Sequence, residues 1–172
     1  MILDEPNFQD EGELEEAIAG AINAASHEVV VVRRFGLDIG VFATPRACFF
    51  EIKAFHPNHG RCGINDGNQI RLLFDQATGA HRTAREIDIL ENSMRWIIGH
   101  RVQPIGSQKF LLLSCQQILS AAAGGEIRPD KQNNINLANF GSLWSTWPDL
   151  LAQINRFIFP NSVDPMWSPW GL

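Results

Sequence analysis

The stretch LDIGVFATPRACFFEIKAF, residues 37–55, constrains what this chain can fold into more than any other. It sets Asp38 in one apolar run and Glu51 and Lys53 in the next, where charged side chains are costly to bury. Thr44-Pro45 marks a tight turn between the runs, because proline fixes φ and suits the early central positions of such turns. A hairpin symmetric about the 44–45 bond pairs residues whose numbers sum to 89, which sets Asp38 opposite Glu51. Directly opposed residues have Cβ atoms about 5 Å apart. The two-residue period of a strand also puts Lys53 on the face of Glu51. The spacing therefore predicts two carboxylates and one ammonium on one face, provided the register does not slip.

Two carboxylates that close repel unless a proton or a cation lies between them. Mg²⁺ meets that need, as a hard ion that favours carboxylate, carbonyl and water oxygens. The competing reading is an inter-strand salt bridge from Lys53 to Glu51 or Asp38. Such bridges are ordinary on exposed faces, but less expected beside Phe49, Phe50, Ile52 and Phe55, where desolvation opposes them.

At 172 residues the chain can bury an adequate core and reads as one domain over 1–172. With 45% hydrophobic and 19% charged residues it belongs among soluble globular proteins, and VVVV and FLLL are strand-sized, too short for membrane spans. The acidic start MILDEPNFQDEGELEE lacks the basic opening of a signal peptide. Cys48, Cys62 and Cys115 are odd in number and scattered, which argues for a reducing compartment over a disulfide framework. The expected location is intracellular: cytoplasmic, or nuclear in a eukaryote. The net charge of −5 is unevenly spread. Residues 1–28 hold eight acids and no Lys or Arg, leaving 14 bases against 11 acids, or +3, in the other 144. This asymmetry suits a polyanion partner on one face, and equally a solvated acidic helix.

Leu14, Ile18, Ala21, Ile22 and Ala25 recur at helical spacing and predict a helix over 11–26, with acids near its start. EVVVVRRF (28–35) predicts a strand, Gly36 breaks it, and the hairpin strands follow at 37–43 and 47–54. The apolar CFFEIKAF predicts a central strand covered on both faces. HPNHGRCGINDG (56–67) reads as loop, 67–77 as a helix and 82–91 as a short helix. Strands are expected at 94–102 and 109–115, a short helix from QQILSAAA, a loop at GGEIRPDKQNN, and a final helix from Trp147-Pro148 to Phe159. The fold class is α/β, with a mixed central sheet flanked by helices. Its core spans about 11–122, followed by a C-terminal helix and aromatic tail over about 140–172.

The order α-β-β-β-α-β over residues 11–102, with Asp38 in LDIGVF and Glu51-x-Lys53 in FFEIKAF, resembles the PD-(D/E)xK restriction-endonuclease-like nuclease superfamily. Leu37 stands where the proline of that name would be. The resemblance implies an αβββαβ restriction-endonuclease-like core. It implies that Asp38 and Glu51 bind Mg²⁺ or Mn²⁺ with the Ile52 carbonyl as a further ligand. It also implies that Lys53 orients or activates the attacking water. Elementary chemistry agrees: a metal lowers the pKa of bound water, and a nearby ammonium stabilises charge growing on the phosphorane.

Some relatives in that superfamily bring a helix glutamate to the metal, which points to Glu15, with Glu11 one turn earlier as the weaker candidate; both also read as solvated helix acids. Several carry a glutamine on the helix after the ExK strand, which points to Gln69 as a catalytic-site residue. Arg71 on that helix could contact a phosphate. His56, His59 and Cys62 form H-x₂-H-x₂-C, but a structural zinc site needs a fourth ligand that is not apparent nearby. Together with Arg61, His56 and His59 make a mildly basic loop suited to nucleic-acid contact. Trp144, Trp147, Trp167 and Trp170 suit core packing or a dimer contact better than base stacking. No G-x-S-x-G, P-loop or dinucleotide fingerprint is present.

The expected function is divalent-metal-dependent hydrolysis of phosphodiester bonds by an endonuclease, on DNA in preference to RNA. The alternatives are a catalytically inactive binding or assembly subunit of the same fold, and an RNA-cleaving effector or toxin domain. Duplex cleavage with one site per subunit would call for a homodimer.

Overall fold

A computed structural model of the chain describes residues 4–25, 29–33, 37–43, 45–55, 61–63, 83–101, 108–120 and 134–160. Helix α1 (Glu11–Ala25) buries Leu14, Ile18, Ala21 and Ile22 along one stripe. Asp10 Oδ1 accepts from the Glu13 N–H at 2.9 Å, satisfying one of the donors a helix start leaves unpaired. Strands β1 (Val29–Arg33), β2 (Ile39–Ala43) and β3 (Arg46–Phe55) follow. Then come β4 (Arg61–Gly63), α2 (Ala84–Ser93), β5 (Met94–His100), β6 (Lys109–Leu113) and α3 (Cys115–Ser120). The chain continues through β7 (Asn134–Asn136), a 3₁₀ turn (Leu137–Phe140) and α4 (Trp147–Ile158).

The main sheet runs β1-β2-β3-β5-β6. Its first three strands are antiparallel neighbours, β3 and β5 are parallel, and β5 and β6 are antiparallel. The expected mixed sheet flanked by helices is thus the architecture found, with β3 at its centre. One face of the sheet offers Cys48, Phe50, Ile52, Ile97 and Phe110 to α1 and α4. The other offers Trp96, Ile98, Leu111 and Leu113 to Ile118 of α3 and to Ile87 and Leu90 of α2. β3 and β5 are covered on both sides, which accounts for their near-continuous apolar sequence. At the β1 edge Val30 is 62% exposed and pairs with the partly exposed Phe42.

Local signals place most helix ends. Thr83 caps α2, its hydroxyl accepting from Glu86 N while Glu86 answers the Thr83 N–H, and Thr146 and Asp149 do the same for α4. Pro148 stands in the first turn of α4, as expected, where its missing N–H costs nothing. Helix α2 passes directly into β5 at Met94 with no intervening loop residue. Trp147 belongs to the core, 5.4 Å from the Phe110 ring centroid. Cys48 is buried on β3, as expected; Cys115 is also buried but opens α3, outside the strand assigned to it from sequence. Burial pushes both thiols up, that of Cys115 to about 12.

One element contradicts the sequence reading. Residues 61–63, read as loop, pair antiparallel with 134–136, which begin on the last residue of a predicted loop and continue into positions given no element, forming a small second sheet with Cys62 opposite Ile135. Three-residue strands carry too few positions for alternation to show, and their pairing spans more than 70 positions of sequence. The helix expected at 67–77 and the aromatic tail after residue 160 lie outside the described residues. Among the described residues no helix is long and apolar enough to cross a membrane.

Gly99 of β5 fixes how closely α1 approaches the sheet. A Cβ there would overlap Leu14 Cδ2 and stand 2.9 Å from Phe8 Cζ. Both side chains are fully buried, so neither can yield freely. Gly99→Ala is expected to destabilise the chain by about 1–3 kcal/mol through overpacking. Urea unfolding measures this, and an unchanged midpoint would show that α1 does not pack that tightly.

Candidate functional site

The pairing of β2 with β3 obeys the predicted register: each ladder pair from Ile39↔Phe50 to Ala43↔Arg46 sums to 89. β2 begins at Ile39, whereas β3 continues to Phe55. Beyond Phe50, β3 therefore has, among the described residues, a strand neighbour only on its β5 side. Asp38, expected inside the strand, lies instead in the bend just before it. Its carboxylate does there what the missing strand would have done: Oδ2 accepts from the Ile52 N–H at 2.7 Å. The N–H and C=O of one strand residue point to the same edge, so the Ile52 carbonyl also faces this open flank.

Glu51 is fully buried and Lys53 is 6% exposed. Lys53 Nζ lies 2.8 Å from Glu51 Oε1 and donates to Glu11 Oε1 at 3.1 Å. The Glu51 contact is one of charge, outside hydrogen-bond geometry, and neither buried oxygen of Glu51 has a hydrogen-bond partner among the described residues. Burial pushes the Glu51 carboxyl up to about 8; Lys53 offsets part of this, while Asp38 and Glu11 push it further up. Burial pulls the Lys53 ammonium down, but Glu51 and Glu11 outweigh it and hold the group above its ordinary value. The site is thus a cation held between two acids with a third, Asp38, alongside.

Of the two helix acids, Glu11 and not Glu15 reaches Lys53. Glu15, the favoured ligand, is buried and accepts from Arg33 Nε at 2.8 Å, a bond that raises the Arg33 pKa. Glu11, one turn earlier, is the acid that reaches Lys53. Arg33 went unremarked in the sequence, though a cation ending a β-branched run four residues before Leu37 was visible there. Arg101 was missed as well. It donates to the Gln9 carbonyl at 2.9 Å and, with Gln9, Ala54 and Phe55, lines a cavity of about 120 Å³ just past Lys53. Gln69, Arg71, His56 and His59 lie outside the described residues, and Arg61 is described only as backbone in β4.

The donor set fits a hard divalent cation. Two unbonded, buried Glu51 oxygens, the Asp38 carboxylate and the Ile52 carbonyl are all oxygen ligands of the kind Mg²⁺ and Mn²⁺ take. Among the described residues no three His, Cys, Asp or Glu side chains converge on one point as a ready-made cluster. Here the Lys53 ammonium supplies the charge that opposes Glu51. Comparison with protein-family models, with curated proteins and with solved structures yields no match.

The raised Glu51 pKa has a direct consequence for stability. A carboxyl that holds its proton more tightly when folded binds more protons in the folded chain between 4.5 and about 8. Its contribution is complete below pH 4.5 and is lost as pH rises through about 8. In EDTA, the unfolding free energy should therefore fall across this window, by up to about 1.4 kcal/mol per pH unit. Glu51→Gln should flatten the fall. Urea unfolding of both proteins from about pH 5 to about pH 8.5 checks this, and parallel curves would show that Glu51 titrates normally.

Proposed function

We propose that this chain is a divalent-metal-dependent nuclease with a restriction-endonuclease-like core, hydrolysing phosphodiester bonds in DNA in preference to RNA. The observation that carries this reading is the buried Glu51–Lys53 pair beside Asp38 at the unpaired flank of β3. An acid and an ammonium buried together are costly unless their geometry serves something further. Asp38, Glu51 and the Ile52 carbonyl are the groups that would hold Mg²⁺ or Mn²⁺. Such an ion, when bound, lowers the pKa of its water and neutralises charge on the phosphate.

The chain's own residues do the rest. Lys53, kept as an ammonium by its two acids, lies where it can orient a water and stabilise charge developing on a phosphate oxygen. Glu11 restrains the Lys53 side chain from the α1 side, so its place is set before substrate arrives. Arg33 neutralises Glu15, which keeps a buried acid on the same helix from adding to the negative charge of the site. Arg101, lining a cavity with Ala54 and Phe55 of β3, offers a further cation for a phosphate.

The second reading is a catalytically silent subunit of the same fold. Two observations favour it: the Lys53 ammonium already balances the charge of Glu51 and Glu11, and no three-acid cluster stands ready among the described residues.

With Mn²⁺ or Mg²⁺ the purified chain is expected to cut DNA, and EDTA to stop it. Lys53→Ala and Asp38→Asn should each lower the rate by about 10²–10³-fold or more while circular dichroism stays unchanged. Duplex DNA, single-stranded DNA and RNA assayed side by side set the substrate class. Mn²⁺ titration by calorimetry separates the two readings: metal binding lost in Asp38→Asn supports the nuclease, and no binding in the parent chain supports the silent subunit.

A further inference from the structure

At the far end of β3 from Lys53 lies a cavity of about 610 Å³ between the sheet and the last turns of α4. Arg46 and Lys53 are seven positions apart on one strand, about 23 Å at 3.3 Å per residue. This cavity is therefore separate from the Lys53 site. Three arginines line it, Arg46, Arg95 and Arg156, together with Gln153 and Phe157. Glu91 is the one acid among the described residues that line it.

Two of the arginines are fixed in advance. Arg95 Nη1 donates to the carbonyls of Glu91 and Met94, and its guanidinium stands 4.1 Å from the Phe157 ring centroid. Arg46 Nη2 donates to the Asn92 carbonyl at 2.6 Å, and its guanidinium stands 5.6 Å from the same centroid. Each bond uses one terminal nitrogen of a five-donor fork, which leaves the other nitrogens of each for a ligand. Burial chiefly lowers the Arg95 guanidinium pKa, Glu91 pulls it back, and the nearby Arg46 adds a smaller repulsion. Capping the last carbonyls of α2 accounts for where Arg46 and Arg95 sit. It accounts neither for Arg156, which is exposed on α4, nor for the open space the three share.

We propose that this cavity is a binding site for a compact anion carrying two or more linked phosphate groups. Three cations against one acid leave two positive charges, which such an anion balances. Guanidinium forks match phosphate oxygens two at a time, and prior fixing of two forks lowers the ordering cost of binding. The volume lies within the range of small-molecule sites. A free or nucleoside-borne phosphate chain fits better than a nucleic-acid strand for two reasons. The arginines converge on one space instead of following a line. The Phe157 ring also already stands against two guanidiniums, which a stacking base would have to displace or share it with.

Calorimetric titration of the full chain in EDTA with pyrophosphate, tripolyphosphate, ATP and a short single-stranded oligonucleotide tests this. Pyrophosphate or tripolyphosphate should bind, and Arg156→Ala should weaken that binding about tenfold. Arg156→Glu should abolish it, while Lys53→Ala should leave it unchanged. Equal affinities for ATP and tripolyphosphate would show recognition of the chain alone, and tighter ATP binding would identify a nucleotide as the source; both support the site. Because Arg156 is exposed, its variants should fold, and circular dichroism verifies this. The proposal is overturned by absence of phosphate binding, by loss of binding in Lys53→Ala instead of Arg156→Ala, or by an oligonucleotide that binds more tightly and depends on Arg156.

Discussion

The contact between Glu51 and Lys53 is the interaction on which the rest of this structure depends. Both groups come from the central strand of the sheet, and water is excluded from both. Without Lys53 the Glu51 carboxyl would hold its proton instead of standing as a buried charge, and without Glu51 the Lys53 ammonium would keep only Glu11. The neighbours relieve that strain unequally: Glu11 helps the ammonium, whereas Asp38 and Glu11 both burden the carboxyl. The result is an acid poised to hold a proton near neutral pH beside a base that does not release one. Such a pair is a poor choice for stability alone, and that is what makes it informative about chemistry.

The termination of β2 creates the setting for this pair. Had β2 continued opposite residues 51–55, its backbone would have taken the Ile52 N–H and closed the flank. Instead the chain bends at Asp38, and a carboxylate replaces a carbonyl as the acceptor. One backbone hydrogen bond thus becomes a bond to a charged side chain, and the edge of the strand opens toward α1. The exchange costs the sheet little in hydrogen bonds and places an acid beside Glu51.

The sequence revealed much of this because the hairpin obeys a simple rule. The pairing from Ile39↔Phe50 to Ala43↔Arg46 keeps the predicted register, and that register brings Asp38 to the Glu51–Ile52 end of β3. The helices were legible where a local signal marks them, an apolar stripe with acids at its start in α1 and Trp147-Pro148 at the opening of α4. Other features were not, for reasons that differ. The β4–β7 pairing joins short segments distant in sequence, with no local pattern to announce it. Whether Glu11 or Glu15 meets Lys53 turns on the rotation of α1 over the sheet and on Arg33, neither of which helical spacing alone decides. The arginines of the second cavity come from β3, β5 and α4, three segments whose meeting only the fold reveals.

The direct passage from α2 into β5 at Met94 leaves the chain no slack. Helix and strand behave as one lever, with the guanidiniums of Arg46 and Arg95 clasping the joint. One residue inserted there would turn the helix by about 100° and carry Ile87 and Leu90 off the sheet, or else slide the strand and exchange its two faces. Length at this junction is therefore as strictly dictated as side-chain identity is elsewhere.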